Sequence, residues 1–343
     1  MSLVVVDADV LGRRRTGDES YVRNLLRTLP GPAAAAGLRL AAVTRRPDLV
    51  PDGIEAVELR ARLQEVRMAW ALPRALRSLG ASLVHTQYAL PLRSPCPAVV
   101  TIHDLSFERD DPPLMGRRDR WTFRRVVPRA ARGAARVLTV SERSKRDIVE
   151  RYGLPAERVV VTPNGVDPAF GPEGDSYMLQ LGPYALAVGA IQGRKNQLAA
   201  LGAAQEVGLE LVVVGPVKDE HVAAELRERG ARLEGYVAAE RLAELYRGAA
   251  CLVQASRWEG FGLPVVEAMA SGTPVVAVPD PALVEVAGDA AVVVEERALA
   301  EGIRRALGEA ARLRAAGLER AATFSWERAA EATVRVYVEA LGG

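Results

Sequence analysis

Residues 250–278, ACLVQASRWEGFGLPVVEAMASGTPVVAV, constrain this chain more than any other stretch. Residues 250–255 form an apolar run of strand length, and residues 256–262 make a loop punctuated by Gly260 and Gly262. Pro264 suits the first helical position, because the N–H it lacks would find no helical partner there. Gly272 closes a helix of about two turns, and Pro274 lies just past it. Strand, loop, helix, turn and strand make a βαβ unit, which commits a chain to a parallel sheet. The loop brings the amides of Phe261, Gly262 and Leu263 to a helix start, where orphan N–H groups and the helix dipole favour an anion. Glu259 precedes that start and Glu267 lies inside the helix. Two readings fit. One is an ordinary turn, with Glu259 on the surface and Glu267 a charge favourable to the dipole. The other is a site for a ligand with phosphates at one end and hydroxyls at the other, as in a nucleotide sugar.

A chain of 343 residues is long enough for two cores. Its 49% apolar and 26% charged content is ordinary for a globular protein. A net charge of +2 sets up no field toward nucleic acid. Cys96 and Cys251 each lie in or beside apolar stretches, as buried thiols of a reducing compartment would. The first residues read as a strand rather than a secretion signal, and no apolar run reaches membrane-spanning length. The expectation is a soluble cytoplasmic protein, with contact at the inner face of a membrane left open.

Residues 3–6 read as a buried strand ending in Asp7 and Asp9, and a loop with Gly12, Arg13, Arg14, Arg15 and Gly17 follows. Val22, Leu25, Leu26 and Leu29 then share one helix face. Asp7-Ala8-Asp9 has the letters of a metal motif but reads as a strand end. Further strands are expected at 38–43, 54–59, 82–86, 98–103 and 137–140, and helical segments alternate with most of them. The fold class is therefore α/β, with doubly wound parallel sheets whose strand C-termini face ligand. His103 and Asp104 fall at one such end; His85 and Tyr88 follow another strand and are candidates for the acceptor side. Residues 117–136 carry Arg117, Arg118, Arg120, Arg124, Arg125, Arg129, Arg132 and Arg136 against Asp119, with Trp121 and Phe123 among them. That stretch is either a solvated helix face or a patch for anionic lipid or a phosphate-bearing acceptor. Pro128 and Gly133 are expected to interrupt it.

Residues 162–175, rich in Pro and Gly without helical period, make the best domain boundary. A second half begins with a strand at 184–188, then Gly189 to Asn196, where Arg194 and Lys195 enter a helix start. These cations either face solvent or make a second place for phosphate. Gly215 follows a strand at 211–214, and Gly235, Tyr236 and Val237 precede another helix. The chain ends in a helical stretch over 326–341.

EGFGLPVVEAMASGTPVV closely resembles the Glu–seven residues–Glu motif of retaining glycosyltransferases with the GT-B fold, the large family 4 type that includes bacterial mannosyltransferase-like group 1 enzymes. TIHDLSF, the segment from Ser141 to Lys145, PNGVD and GRKN occur in that family's order, so the resemblance covers nearly the whole chain. It implies two Rossmann-like domains facing a cleft. Residues 1–172 would form the acceptor-side domain, 173–323 the nucleotide-sugar domain, and 324–343 a helix returning to the first.

By the same resemblance Glu267 binds ribose hydroxyls, Glu259 and His103 lie by the donor sugar, and Phe261, Gly262 and Leu263 meet sugar and phosphate through their amides. Arg194 and Lys195 hold the pyrophosphate, with Gly189 before them. Gly215, Tyr236 and Val237 flank the base, and Gly17, Ser141 and Asn164 border the cleft as further donor-binding residues. Two positions depart from the family: Glu19 stands where a second glycine is usual, and Ala190 where some relatives have an arginine. The implied reaction moves mannose or a similar hexose from a donor such as GDP-mannose or a UDP-sugar to a hydroxyl of a glycan or lipid-linked acceptor. Configuration would be retained, without metal or other cofactor. Two other readings stay open. A nicotinamide-dependent oxidoreductase needs Gly-x-Gly-x-x-Gly and a later acid, which neither half carries. The other is a sugar-nucleotide-binding module without turnover.

Overall fold

In the computed structural model, which describes residues 1–13, 16–61, 63–109, 116–177 and 182–342, the chain divides into two compact units. One comprises Met1–Gly165 with Trp326–Gly343, the other Val166–Ser325. Arg14 and Arg15 of the first loop lie outside the described residues, as does the side chain of Arg117.

The first unit is built on strands β1 (Ser2–Asp7), β2 (Leu38–Thr44), β3 (Glu55–Glu58), β4 (Leu83–Gln87), β5 (Ala98–Thr101), β6 (Arg136–Thr139) and β7 (Val159–Val161). They form one parallel seven-stranded sheet of order β3-β2-β1-β4-β5-β6-β7. The second unit repeats the plan with β8 (Tyr184–Val188), β9 (Glu210–Val214), β10 (Arg232–Gly235), β11 (Cys251–Gln254), β12 (Val275–Ala277) and β13 (Val292–Val293). Its parallel order is β10-β9-β8-β11-β12-β13. Helices cover both faces, so the central strands are continuous runs of Val, Leu and Ala with almost no exposure. In each sheet the strand order reverses beside the first strand, which opens a crevice past the strand C-termini between β1 and β4, and between β8 and β11.

Several expectations change. The helix Arg117–Gly133 runs through Pro128 without a break. Proline removes one intrahelical bond, and Val127, Ala130 and Ala131 on the same turns are buried in the core, which holds the helix through that loss. The first helix begins at Thr16, so Gly17 lies in its first turn rather than in the loop. Pro264 occupies the second helical position behind Gly262, the N-cap of Leu263–Ala270. The units divide at residue 165 rather than 172. Val166 N donates to Phe324 O (3.3 Å) and Arg247 Nη1 to Gly171 O (3.3 Å), binding the linker into the second unit. The helix Trp326–Gly342 packs in the first unit, where Trp326 and Tyr337 are buried and Thr28 Oγ1 donates to Trp326 O (3.3 Å).

Candidate active site

In the second unit the loops that follow β8 and β11 meet across the crevice. The chain leaves β8 through Gly189, makes a single turn over Gly193–Lys195, and enters the helix Gln197–Val207 from Asn196. That turn lies against the loop after β11, where Arg257 N donates to Arg194 O (2.9 Å) and Arg194 Nη1 to Trp258 O (2.8 Å). Lys195 Nζ donates to Glu259 Oε1 at 2.5 Å, and Arg194 Nη1 stands 3.6 Å from Glu259 Oε2. Gln254, the last residue of β11, donates through Nε2 to Glu259 Oε1 (2.8 Å) and to Ser256 Oγ (3.0 Å). Burial works against charge on Glu259. The adjacent Lys195 and Arg194 outweigh it and hold the carboxyl at about 2. Two cations therefore share one fixed carboxylate.

Tight backbone approach makes this possible. Gly215, at the end of β9, has φ +148°, and a side chain there would strike the carbonyl of Gly189 only 2.2 Å away. Gly262 has φ +102°, and a Cβ would lie 2.7 Å from Leu283 Cδ2. This glycine lets residues 261–263 reach the helix start ahead of the bond from Val265 N to Gly262 O. Asp280 caps the helix Pro281–Ala287 through Oδ1, and its Oδ2 accepts from Glu259 N at 3.4 Å, so it ties that helix to the glutamate loop.

Glu267 lies on the helix Leu263–Ala270 and takes no part in the Glu259 cluster among the contacts described. Its Oε2 accepts from the hydroxyl of buried Tyr246 at 2.9 Å. Burial pushes its carboxyl up to about 7; the Tyr246 bond pulls the other way and nearby Asp167 adds to the rise. The two glutamates of one motif thus sit in opposite electrostatic settings. Tyr236 is exposed and Val237 partly so, in the loop beyond β10.

In the first unit, His103, Ser141 and Asn164 follow β5, β6 and β7, which are adjacent strands, so all three stand along one C-terminal edge. Ser141 caps Glu142–Tyr152 by accepting from Ser144 N (3.1 Å), and Ser144 Oγ donates to His103 O (3.0 Å). The His103 ring packs edge-on against Tyr21 (4.6 Å between centroids) and tilted against Tyr88 (5.6 Å). Burial lowers its pKa against the pull of Asp18 and Asp104. His103 Nε2 and Asn164 Oδ1 are buried without a hydrogen-bond partner among the described residues. Each can form a hydrogen bond with a bound group, which would recover the roughly 1–3 kcal/mol that an unmet buried polar atom costs.

His85 is not a lining residue. It is 1% exposed, with Nδ1 at 2.6 Å from Tyr337 OH and Nε2 at 2.7 Å from Thr101 Oγ1, and burial lowers its pKa to about 3. Thr101 Oγ1 also meets Tyr21 OH (3.0 Å). Asp7 and Asp9 are engaged by arginine: Arg67 Nη1 donates to Asp7 Oδ2 (2.5 Å) and Arg45 Nε to Asp9 Oδ1 (2.9 Å). Glu19, the departure from the family glycine, is buried and accepts from Gly12 N at 2.9 Å, which pins the first loop by a side chain.

Sequence reasoning missed Gln254, Tyr246 and Asp280. A polar residue closing an apolar strand marks Gln254, and Asp-Pro ahead of an apolar run marks Asp280 as a cap. Nothing local marks Tyr246, whose partner lies 21 residues away.

Two sheets with the switch-point order place the molecule in the GT-B class. Solved structures of that shape agree. Sucrose-phosphate synthase (tll1590) from Thermosynechococcus elongatus superposes with a TM-score of 0.80 at 22% identity, over 99% of both chains. Anabaena Alr3699/HepE in complex with UDP and glucose gives 0.74 at 16% identity, over 99% of this chain and 100% of that one. Residues 15–170 match the family described as Glycosyltransferase Family 4, and residues 181–321 that described as Glycosyl transferases group 1. O-antigen chain mannosyltransferase B of Escherichia coli is 32% identical over 327 residues, 87% of this chain and 82% of that one. The chain belongs to the family 4, group 1 glycosyltransferases, and the nicotinamide-dependent reading is set aside.

Proposed function

We propose that this glycosyltransferase moves a hexose, mannose or a close relative, from a nucleoside diphosphate to an acceptor hydroxyl with retained configuration and without a metal. The observation that carries the reading is the cluster of Arg194 and Lys195 around Glu259 at the β8–β11 crevice. As the bond from the sugar to the diphosphate breaks, negative charge grows on the leaving phosphate and positive charge on the sugar. Arg194, Lys195 and the amides of Phe261, Gly262 and Leu263 stabilise the first, and groups of this kind are worth roughly 3–4 kcal/mol each when removed. Glu259 lies beside the sugar, where its fixed charge favours an oxocarbenium-like centre. Glu267, oriented by Tyr246, accepts the ribose hydroxyls, and Gly189, Gly215, Tyr236 and Val237 border phosphate and base.

His103 and Asn164 supply the unmet hydrogen-bonding atoms of the acceptor-side unit, where Gly17 and Ser141 border the substrate. The acceptor is a glycan or a lipid-linked sugar. The mannosyltransferase relative favours mannose, whereas the Anabaena protein holds UDP and glucose, so GDP-mannose and UDP-glucose lead the donors to test. Donor hydrolysis and transfer are measured over a panel of nucleotide sugars, with EDTA present and with the product anomer read by NMR. Turnover of one or few donors in EDTA, with retention, is expected. An inverted product, or activity that vanishes in EDTA and returns with a divalent ion, would overturn the corresponding part; a panel without turnover would leave only the binding-module reading.

A further inference from the structure

Trp258 and Trp326 are buried, but Trp70 and Trp121 are 64% and 58% exposed. Both exposed rings carry an arginine: the Arg74 guanidinium lies 5.7 Å from the Trp70 centroid and that of Arg125 3.8 Å from Trp121. Val66 and Trp70 are exposed four residues apart on the continuous helical stretch that runs through Gln64–Val66, Arg67–Ala71 and Leu72–Leu79, and Leu63, the extended residue that leads into it, is exposed as well. On Arg117–Gly133, Arg118, Trp121, Arg125, Arg129 and Arg132 are exposed at three- and four-residue spacing, one stripe of a helix.

The two stripes belong to one layer of the first unit. The crossovers from β3 to β4 and from β5 to β6 run in the same direction across the sheet, and right-handed crossovers put both on the same side. The segment after β4 joins them. Leu90 packs into the cores beneath both, and Leu92 N donates to Met68 O (2.9 Å) while its side chain is 63% exposed.

We propose that this face docks on an anionic lipid bilayer. Its exposed charge is almost wholly positive, Arg74, Arg93 and the stripe arginines against Glu65 and Asp119, although the whole chain carries only +2. A soluble phosphate needs cations converging on a point, whereas these are strung along two helices with Trp and Leu between them. Tryptophan and arginine together suit the headgroup level, the ring reaching the acyl boundary and the guanidinium the phosphates. Among the described residues no helix is long and apolar enough to cross a membrane, so the contact is one of lying on the surface. The face goes beyond the donor chemistry proposed above and does not depend on it.

The full-length protein is sedimented with vesicles of phosphatidylcholine alone or mixed with phosphatidylglycerol, at low and high salt. Binding is expected to the anionic vesicles only, weakened by salt, with a blue shift of tryptophan emission. The double variant Trp70→Ala/Trp121→Ala, altered only at exposed positions, should bind about tenfold more weakly and lose the shift while its circular dichroism stays unchanged. Absence of binding to anionic vesicles at low salt would overturn the proposal. So would equal binding by the double variant, or self-association in sedimentation velocity that the same substitutions abolish.

Discussion

The central strands of the two sheets, β1 and β8, hold equivalent places, yet charge is handled differently at their ends. Beside β1, Asp7 and Asp9 meet Arg67, which is 1% exposed and comes from the crossover segment beneath the strands; Arg45 and Arg13 add to it. That cluster is closed around the buried arginine, although its three arginines outnumber its two carboxylates. Beside β8, one carboxylate meets two cations whose side chains keep 18% and 11% exposure. The same topology thus yields a structural knot around a fully buried arginine, and a cluster in which two partly exposed cations converge on a single carboxylate.

The largest expected effect tests the knot. Arg67→Met leaves Asp7 and Asp9 buried beside an apolar side chain and should lower stability by about 3–5 kcal/mol, read as a lower midpoint in urea. An unchanged midpoint would mean that the β1 cluster is not closed, and the comparison would fail.

The next effect separates the members of the β8 cluster. Lys195→Ala should weaken nucleoside diphosphate binding by about tenfold to a hundredfold, as loss of a charge-assisted bond of roughly 1.5–3 kcal/mol does. Glu259→Gln should do the reverse for binding, because it removes the carboxylate that competes with the diphosphate for Lys195 and Arg194, while transfer slows. Calorimetric titration with GDP and UDP checks both. Parallel weakening in the two variants would show that Glu259 helps to hold the nucleotide rather than balancing the cations.

The smallest effect concerns Glu267. Tyr246→Phe should raise the donor KM about fivefold, near 1 kcal/mol for one hydrogen bond, with kcat little changed. The folded carboxyl stands at about 7, above its ordinary 4.5, so the charged form, which the proposed function assigns to the ribose hydroxyls, gains population as pH rises through about 7. Donor affinity should rise over that range. In Tyr246→Phe the rise should shift to higher pH, because the lost bond had favoured the charged form. The same displacement adds to stability below pH 4.5 and is lost as pH climbs through about 7, so Glu267→Gln should flatten that slope of the unfolding free energy. A pH profile of donor KM identical in wild type and Tyr246→Phe would remove the positioning role.

Much of the fold was legible because strand and helix leave local traces. Apolar runs marked β1, β2, β8 and β9, and the strand-loop-helix grammar of 250–278 was correct to within a residue or two. β7 has only three residues, and β10 reads RLEG, without an apolar run or alternation to betray it. Pro128 misled because its cost is local while the support from Val127 and Ala130 is tertiary. His85 misled for the converse reason: strand ends carry ligands as a class, but Tyr337, 252 residues away, occupies this one.

By itself the sequence determined the α/β alternation, the placing of Gly262 and Pro264 at a helix start, and the presence of Arg194, Lys195, Glu259 and Glu267 near strand ends, since each follows from neighbours a few residues apart. Only the tertiary structure decided the partners. Glu259 and Lys195 are 64 residues apart, and Arg67 and Asp7 are 60. Which acid meets which base depends on strand order and on how far each side chain is withdrawn from water. The same physics holds Glu259 at about 2 and lifts Glu267 to about 7 within one helix start, because burial penalises both charges and only Glu259 has cations beside it.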